Sequence, residues 1–412
     1  MLKSELLEII ANGENSGIEF KRDDMRPEHF AKEVVAFANL QGGRILIGVE
    51  DDGTISGIRQ RTHDTLEEWV MNVIREKVHP MIIPYYEEIL IEEGKRVAII
   101  SVIQGISKPY VMRHSGGEEI YIRSGSSSQK ASREQQARLY DAGGMLHIET
   151  MPVPGTSMTS LDMARLENYL HTIINDPQVP QTGDQWQERL IGLGFLVKTP
   201  NDNVVCTIAG LVLFGISPRH SLRQSGIRVM VFKGEDKTYS SLLDEILDGP
   251  IVGRFKGEGA GNKQIIDEGL IEKLSTMLRP FLSQESETIA DNMQRYKTWF
   301  YPWDAVRETV VNAIAHRDWS RFVDIEVSCY SNRIEVISPG SLHNSMTIDK
   351  MKAGQRSPRN QIIVDVLRDY GYVDARGMGI RVKVIPLMVK ENHREPVFEV
   401  TDDYLKVTLY RK

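Results

Sequence analysis

Apolar residues recur along the chain with two periods, and the alternation between them sets out its elements. Leu2, Leu6, Ile9 and Ile10 fall at helical spacing, and Asn12-Gly13 closes that segment with a pair tolerant of left-handed backbone. Pro27 opens a second helix in which Phe30, Val34, Phe37 and Ala38 repeat at i, i+4, i+7 and i+8. Residues 44–49 read as a mostly apolar strand, which Asp51-Asp52-Gly53 turns into residues 54–58 as a hairpin. A helix over 65–78 ends at His79-Pro80, and two hairpins follow, turning at Glu93-Gly94 and at 115–117. The second delivers residues 119–123 into the serine-rich loop 124–128. The pattern predicts an α+β domain over 1–148.

Residues 149–160 are polar, contain proline and glycine, and predict a linker. A middle segment of mixed α/β character is expected over 161–290, with helices at 161–175 and 185–193 and a strand or helix at 204–216. The last part, 291–412, holds the second strongly patterned helix, 303–316. Val306, Val310, Ala313 and Ile314 form its apolar stripe, and Glu308, Asn312 and His316 a separate polar stripe at i, i+4 and i+8. Strands are expected at 323–330 and 333–337, a break at Ser338-Pro339-Gly340, a helix at 361–369, another opening within 376–380, and a hairpin over 398–410.

At 412 residues the chain has room for two or three domains. Its formal net charge of −7 excludes a uniformly basic nucleic-acid binder, so any phosphate contact must be local. Two basic windows qualify: 105–140, with Lys108, Arg123 and Lys130 among its cations, and 350–384. Solvated charged faces are the alternative for both. Cys206 and Cys329 lie far apart among apolar neighbours and read as two buried thiols. With no apolar run near the roughly 18 residues that span a bilayer, a cytoplasmic protein without a membrane partner is expected.

Charge and chemistry converge on residues 14–58. Glu14 and Glu19 flank a short extended piece, and Glu50, Asp51 and Asp52 sit where the next strand ends. If the two strands are neighbours, carboxylates converge on one sheet edge and suit a hard divalent cation, Mg²⁺ or Mn²⁺, which activates water for attack on a phosphodiester. Lys21, two residues from Glu19 and so on its face, would neutralise phosphate charge. Arg123 and the loop with Ser126 offer a guanidinium, hydroxyls and backbone donors for phosphate, and Tyr110 and Tyr121 either stack on bases or fill the core. His316 reads as a satisfied structural histidine.

The motifs ENSGIEFK, AFANLQGGRILIGVEDDG, KPY and YIRSGSSS together resemble the AlbA-like domain of the Schlafen family over roughly residues 13–135. That resemblance implies a ribonuclease site of two glutamates and an aspartate with a divalent metal, on Glu14, Glu19 and Asp51, with Glu50 competing for the last place. It also implies an alternative, since bacterial relatives include DNA-binding transcriptional regulators. In the C-terminal half, TIAGLVLFG, RETVVNAIAHRDWS, RIEVISPGSL, SPRN and RGMGI resemble a divergent GHKL-type ATPase domain with a Bergerat-like α/β sandwich. By that resemblance Glu308 is the water-activating base, Asn312 the Mg²⁺ ligand, and Gly340, Gly377 and Gly379 line ATP. The chain departs from that class in having Ser338-Pro339-Gly340 where an acid contacts adenine, and Ala315 where a further acid follows the helix asparagine.

The sequence thus leads to a metal-dependent endoribonuclease acting on tRNA-like RNA, RNA being favoured over DNA, in a homo-oligomer. The alternative is a non-catalytic nucleic-acid-binding regulator whose C-terminal domain senses a nucleotide.

Overall fold

The computed structural model describes the whole chain except residues 60–64, 93, 145–146, 258–263, 290–294, 344–345, 356 and 375–377. The chain divides into two compact units, Met1–Leu146 and His147–Lys412.

In the first unit, strands Ile18–Lys21 and Gly42–Ile47 lie parallel, joined through helix Pro27–Asn39. They continue into antiparallel Lys95–Ile103 and Tyr85–Glu92, in that order across the sheet among the described residues. The period of two sorts side chains between faces. Ala98, Ile100 and Val102 pack with Ile45 against Phe30, Val34 and Phe37 of the long helix. Val97 and Ile99 pack with Leu46 and Phe20 against Leu6 and Ile10 of helix Lys3–Asn12. With both faces covered, the central strands read as continuous apolar runs. Gly48 takes φ +96°, and a Cβ there would strike the backbone of Gly57, whose N–H donates to the Gly48 carbonyl.

The second unit is built on a sheet of six strands among the described residues. Its order is Leu243–Leu247, Ile227–Val231, Ile325–Cys329, Arg333–Pro339, Tyr404–Tyr410 and Val397–Val400. Helix Trp303–His316 packs on it through Val306, Val310 and Ile314.

The expected linker and middle segment do not stand apart from this unit. Ile148, Val153 and Leu161 are buried in the core that also holds Val310, Ile363 and Leu409. Residues 204–216, ambiguous between strand and helix, are both: strand Val204–Cys206, then helix Ile208–Phe214. Gly210 is needed there because a Cβ would strike the Phe195 carbonyl. Both cysteines are buried and unpaired. No helix among the described residues is long and apolar enough to cross a membrane.

Candidate nucleic-acid surface and nucleotide cavity

The parallel pairing of the first two strands sets Glu19 opposite Ile45 and Lys21 opposite Ile47, on the face covered by helix Pro27–Asn39. Glu19 is therefore buried, 5% exposed, and both its oxygens are held by cations. Oε1 accepts from Lys21 Nζ, and Oε2 from Arg123 Nη1 at 2.5 Å. Glu14 is half-buried and its Oε1 accepts the Phe20 N–H at 2.8 Å. Burial raises the Glu14 pKa against that hydrogen bond, and the charges of Glu19 and Asp51 add to the rise. Asp51 lies exposed on the turn that the Gly53 N–H closes onto the Glu50 carbonyl at 2.9 Å. Glu50 itself pairs with Arg22 at 3.5 Å.

The fold thus brings Glu14, Glu19 and Asp51 into electrostatic reach of one another. It does not arrange them as a ligand set: no group of three or more His, Cys, Asp or Glu among the described residues is placed to hold a metal ion. The reason is the pairing. A carboxylate paired on both oxygens with a guanidinium and an ammonium has its charge already met, and a metal ion would have to compete with both cations for it.

Arg123 was expected at the surface and is not there. It is 4% exposed and lies over the Phe37 ring at 4.7 Å. Besides Glu19 it donates to Glu33 Oε2 at 3.1 Å and to the Asn15 carbonyl at 2.7 Å. Its role is to neutralise two buried acids, which a guanidinium with several fixed donors does well. Lys108 is likewise turned inward, 7% exposed, its Nζ donating to the Leu40 carbonyl at 3.2 Å. Tyr110 and Tyr121 are buried in the core of the unit rather than presented to bases.

What remains outward is the hairpin of Tyr121–Ser124 and Ser127–Lys130, with Ser126 exposed at its tip and Lys130 exposed on its flank, paired to Glu119. Asn39 fastens this region to the helix: its amide donates to the carbonyls of Tyr110 at 2.8 Å and Tyr121 at 2.9 Å, and its oxygen accepts the Tyr110 N–H. The sequence pattern gave Asn39 no such role. It also passed over Arg22 and Arg59, exposed cations flanking Asp24 near the acidic turn; the signal for the first was its place directly after Lys21.

In the second unit a cavity of about 200 Å³ opens beside the Trp303–His316 helix. Glu308, Asn312 and His316, one helical turn apart, all line it, as do Gly340 and Gly379. Gly377 lies outside the described residues. Glu308 is 3% exposed; its Oε1 accepts from Asn312 Nδ2 at 3.2 Å, while Oε2 accepts no hydrogen bond among the described residues and has Lys383 Nζ 4.0 Å away. Gly379 rests directly against this carboxylate, so a Cβ on it would collide with Glu308 Oε1. Gly340 takes φ +99°, and a Cβ there would meet Arg359 and Asp318. A buried carboxylate oxygen that accepts no hydrogen bond among the described residues, beside an asparagine and a close-packed glycine, fits a cation carried by a bound polyanion. His316 is not the satisfied structural residue expected: its exposed surface is cavity wall, and its ring has no hydrogen-bond partner among the described residues. Burial within the surrounding protein, with Arg359 and His343 close by, lowers its pKa to about 4.

These features define a two-unit α+β protein with one surface suited to phosphate contacts and one cavity suited to a nucleotide. Residues 14–132 match the family described as "Schlafen, AlbA_2", and residues 323–409 the family described as "Putative ATP-dependent DNA helicase recG C-terminal". The resemblance read from the sequence is borne out in both halves. Glu308 and Asn312 precede the second matched segment and come from the helix packed beside it. Both matches point to a function related to nucleic acid, and the second hints at ATP binding. No curated protein matches the chain. Among solved structures, the DIP2311 protein from Corynebacterium diphtheriae is 19% identical over 99% of this chain and 80% of its own, with a TM-score of 0.44. The N-terminal domain of a RecG-related protein from Nitrosomonas europaea is 24% identical over 32% of this chain and 94% of its own, with a TM-score of 0.23.

Proposed function

We propose that the chain is a nucleic-acid-binding regulator whose second unit takes up an adenine nucleotide. The observation that carries this over the nuclease reading is the double pairing of Glu19 with Arg123 and Lys21, which leaves the acidic edge without a metal ligand set. On this reading Glu19 and Glu33 hold Arg123, and through it the base of the exposed hairpin. Ser126 and Lys130 then meet the phosphate backbone, positioning a strand without reading its bases. Endonuclease action keeps one observation in its favour, the coupling of Glu14 to Glu19 and Asp51.

In the second unit Gly340 and Gly379 would bracket the nucleotide and Asn312 and Glu308 would face its phosphates. When bound, a magnesium nucleotide would add positive charge beside the Glu308 oxygen that accepts no hydrogen bond among the described residues. Glu308, pressed between Asn312 and Gly379, is placed to hold this complex, so binding rather than turnover is the role assigned to the cavity. A partner of RNA rather than DNA, a homo-oligomer and a cytoplasmic location extend this reading; they rest on the sequence resemblance and on the small size of one exposed edge.

Fluorescence anisotropy with a structured RNA and a DNA duplex tests the first unit: Lys130→Ala is expected to weaken binding of either by the same factor and to flatten its salt dependence by about one ion. Salt-independent binding, or none, would refute the reading. Calorimetric titration of ATP into wild type and Asn312→Ala tests the second, with heat expected from the wild type only.

A further inference from the structure

His316 lines the cavity about two helical turns from Glu308, on the same helix. Ser338, Ser341, His343 and Ser357 are among the polar groups that line the cavity with it, and the charged or titratable neighbours that act on His316 are Arg359 and His343, with no carboxylate among them. The Ser338 hydroxyl donates to the Ala313 carbonyl at 3.0 Å, so its hydrogen is committed to the protein. Asp318, the nearest acid in sequence, is 5% exposed, does not line the cavity, and is held by Ser320 at 2.6 Å and by Arg359 at 3.9 Å. His343 Nδ1 lies 3.3 Å from Ser357 Oγ. The apolar part of the cavity lining includes Val336, Leu405 and Val407 from the sheet and Met346, Met351 and Met378 from the surrounding segments. Methionines shape themselves to a flat ring without fixing its hydrogen bonds.

His316 is a polar side chain of the cavity wall whose ring has no hydrogen-bond partner among the described residues. With its pKa lowered to about 4 the ring is neutral near pH 7, carrying one N–H and one lone pair. Either nitrogen can hold the proton, so the same edge of the ring can donate or accept. A carboxylate in this place would only accept, and would select a ring that presents an amino group.

We propose that His316 reads the base of the bound nucleotide, and that by switching tautomer it accepts amino-purines and oxo-purines alike. The cavity then takes guanine nucleotides as well as adenine nucleotides. This inference rests on the nucleotide reading of the cavity and adds to it both the reading residue and the breadth of ligand.

The test is calorimetric titration of the full-length chain near pH 7 with magnesium ATP and, separately, magnesium GTP. The wild type is expected to bind both with affinities within about tenfold, an interval of about 1.4 kcal/mol. His316→Phe is expected to lose about tenfold or more for each, and His316→Asn, which keeps a donor and an acceptor, to recover most of that loss. Thermal unfolding of each variant confirms that it is folded. A wild type that binds neither nucleotide refutes the nucleotide reading itself. A wild type that binds one purine more than about tenfold better than the other, or a folded His316→Phe that binds both as the wild type does, overturns the proposal while leaving nucleotide binding intact.

Discussion

Arg123 and Lys130 lie on the same hairpin and have opposite fates, which single substitutions separate. Arg123 stands between two buried acids, so Arg123→Ala strands Glu19 and Glu33 as uncompensated charges and should cost about 3–5 kcal/mol of stability in urea unfolding. Lys130 is exposed, its bridge to Glu119 screened by water, and Lys130→Ala should change stability by no more than about 1 kcal/mol. Equal effects would overturn the assignment of inward and outward roles. His316 gives a pH prediction. An unfolded histidine takes up its proton near pH 6.5, while His316 in the folded chain resists protonation until about 4. Between these values the unfolded state binds more protons, so stability falls as pH falls and is regained above 6.5. Thermal unfolding from pH 7 to 4 should show a smaller decline in His316→Gln than in the wild type. Parallel declines would show that this ring does not carry the effect.

At the scale of elements, the strongly periodic segments were legible in the sequence because their neighbours impose one face on each. Helices Trp303–His316 and Gln361–Asp369 fall where the apolar stripes put them. The parallel neighbourhood of the first two strands, posed as a condition, is met. Residues 149–160 were misread for a physical reason. Their proline, glycine and serine content signals an irregular path, and they do follow one, but composition says nothing of what lies on the other side. Glu149, 1% exposed, accepts the N–H groups of Ile362 at 3.0 Å and Ile363 at 3.1 Å and so caps helix Gln361–Asp369 from about two hundred residues away. Asn360, at the N-cap position, makes no side-chain cap hydrogen bond of its own, and its amide nitrogen donates to the carbonyls of Ala315 and Arg317. Glu149→Ala should cost the second unit about 1–2 kcal/mol, the usual loss of a cap, in chemical denaturation. An unchanged midpoint would mean that water replaces the carboxylate there. Arg123 and Lys108 misled in the same manner: a basic window announces charge, and only the pairing of distant segments decides whether that charge faces solvent or a buried acid.

At the scale of the whole molecule, the two units divide the chemistry. The first presents serine hydroxyls and a lysine outward and locks Glu19 and Glu33 inward on Arg123; the second holds a cavity in which one oxygen of the buried Glu308 carboxylate accepts no hydrogen bond among the described residues. On the function proposed above, the protein grips nucleic acid and binds a nucleotide without cutting. The most direct test is incubation of the purified chain with a structured RNA and Mn²⁺, wild type beside Glu19→Gln, followed on a denaturing gel and by anisotropy. The account predicts that the wild type binds the RNA and leaves it intact. Cleavage by the wild type that Glu19→Gln abolishes would contradict it and return the acidic edge to the nuclease reading.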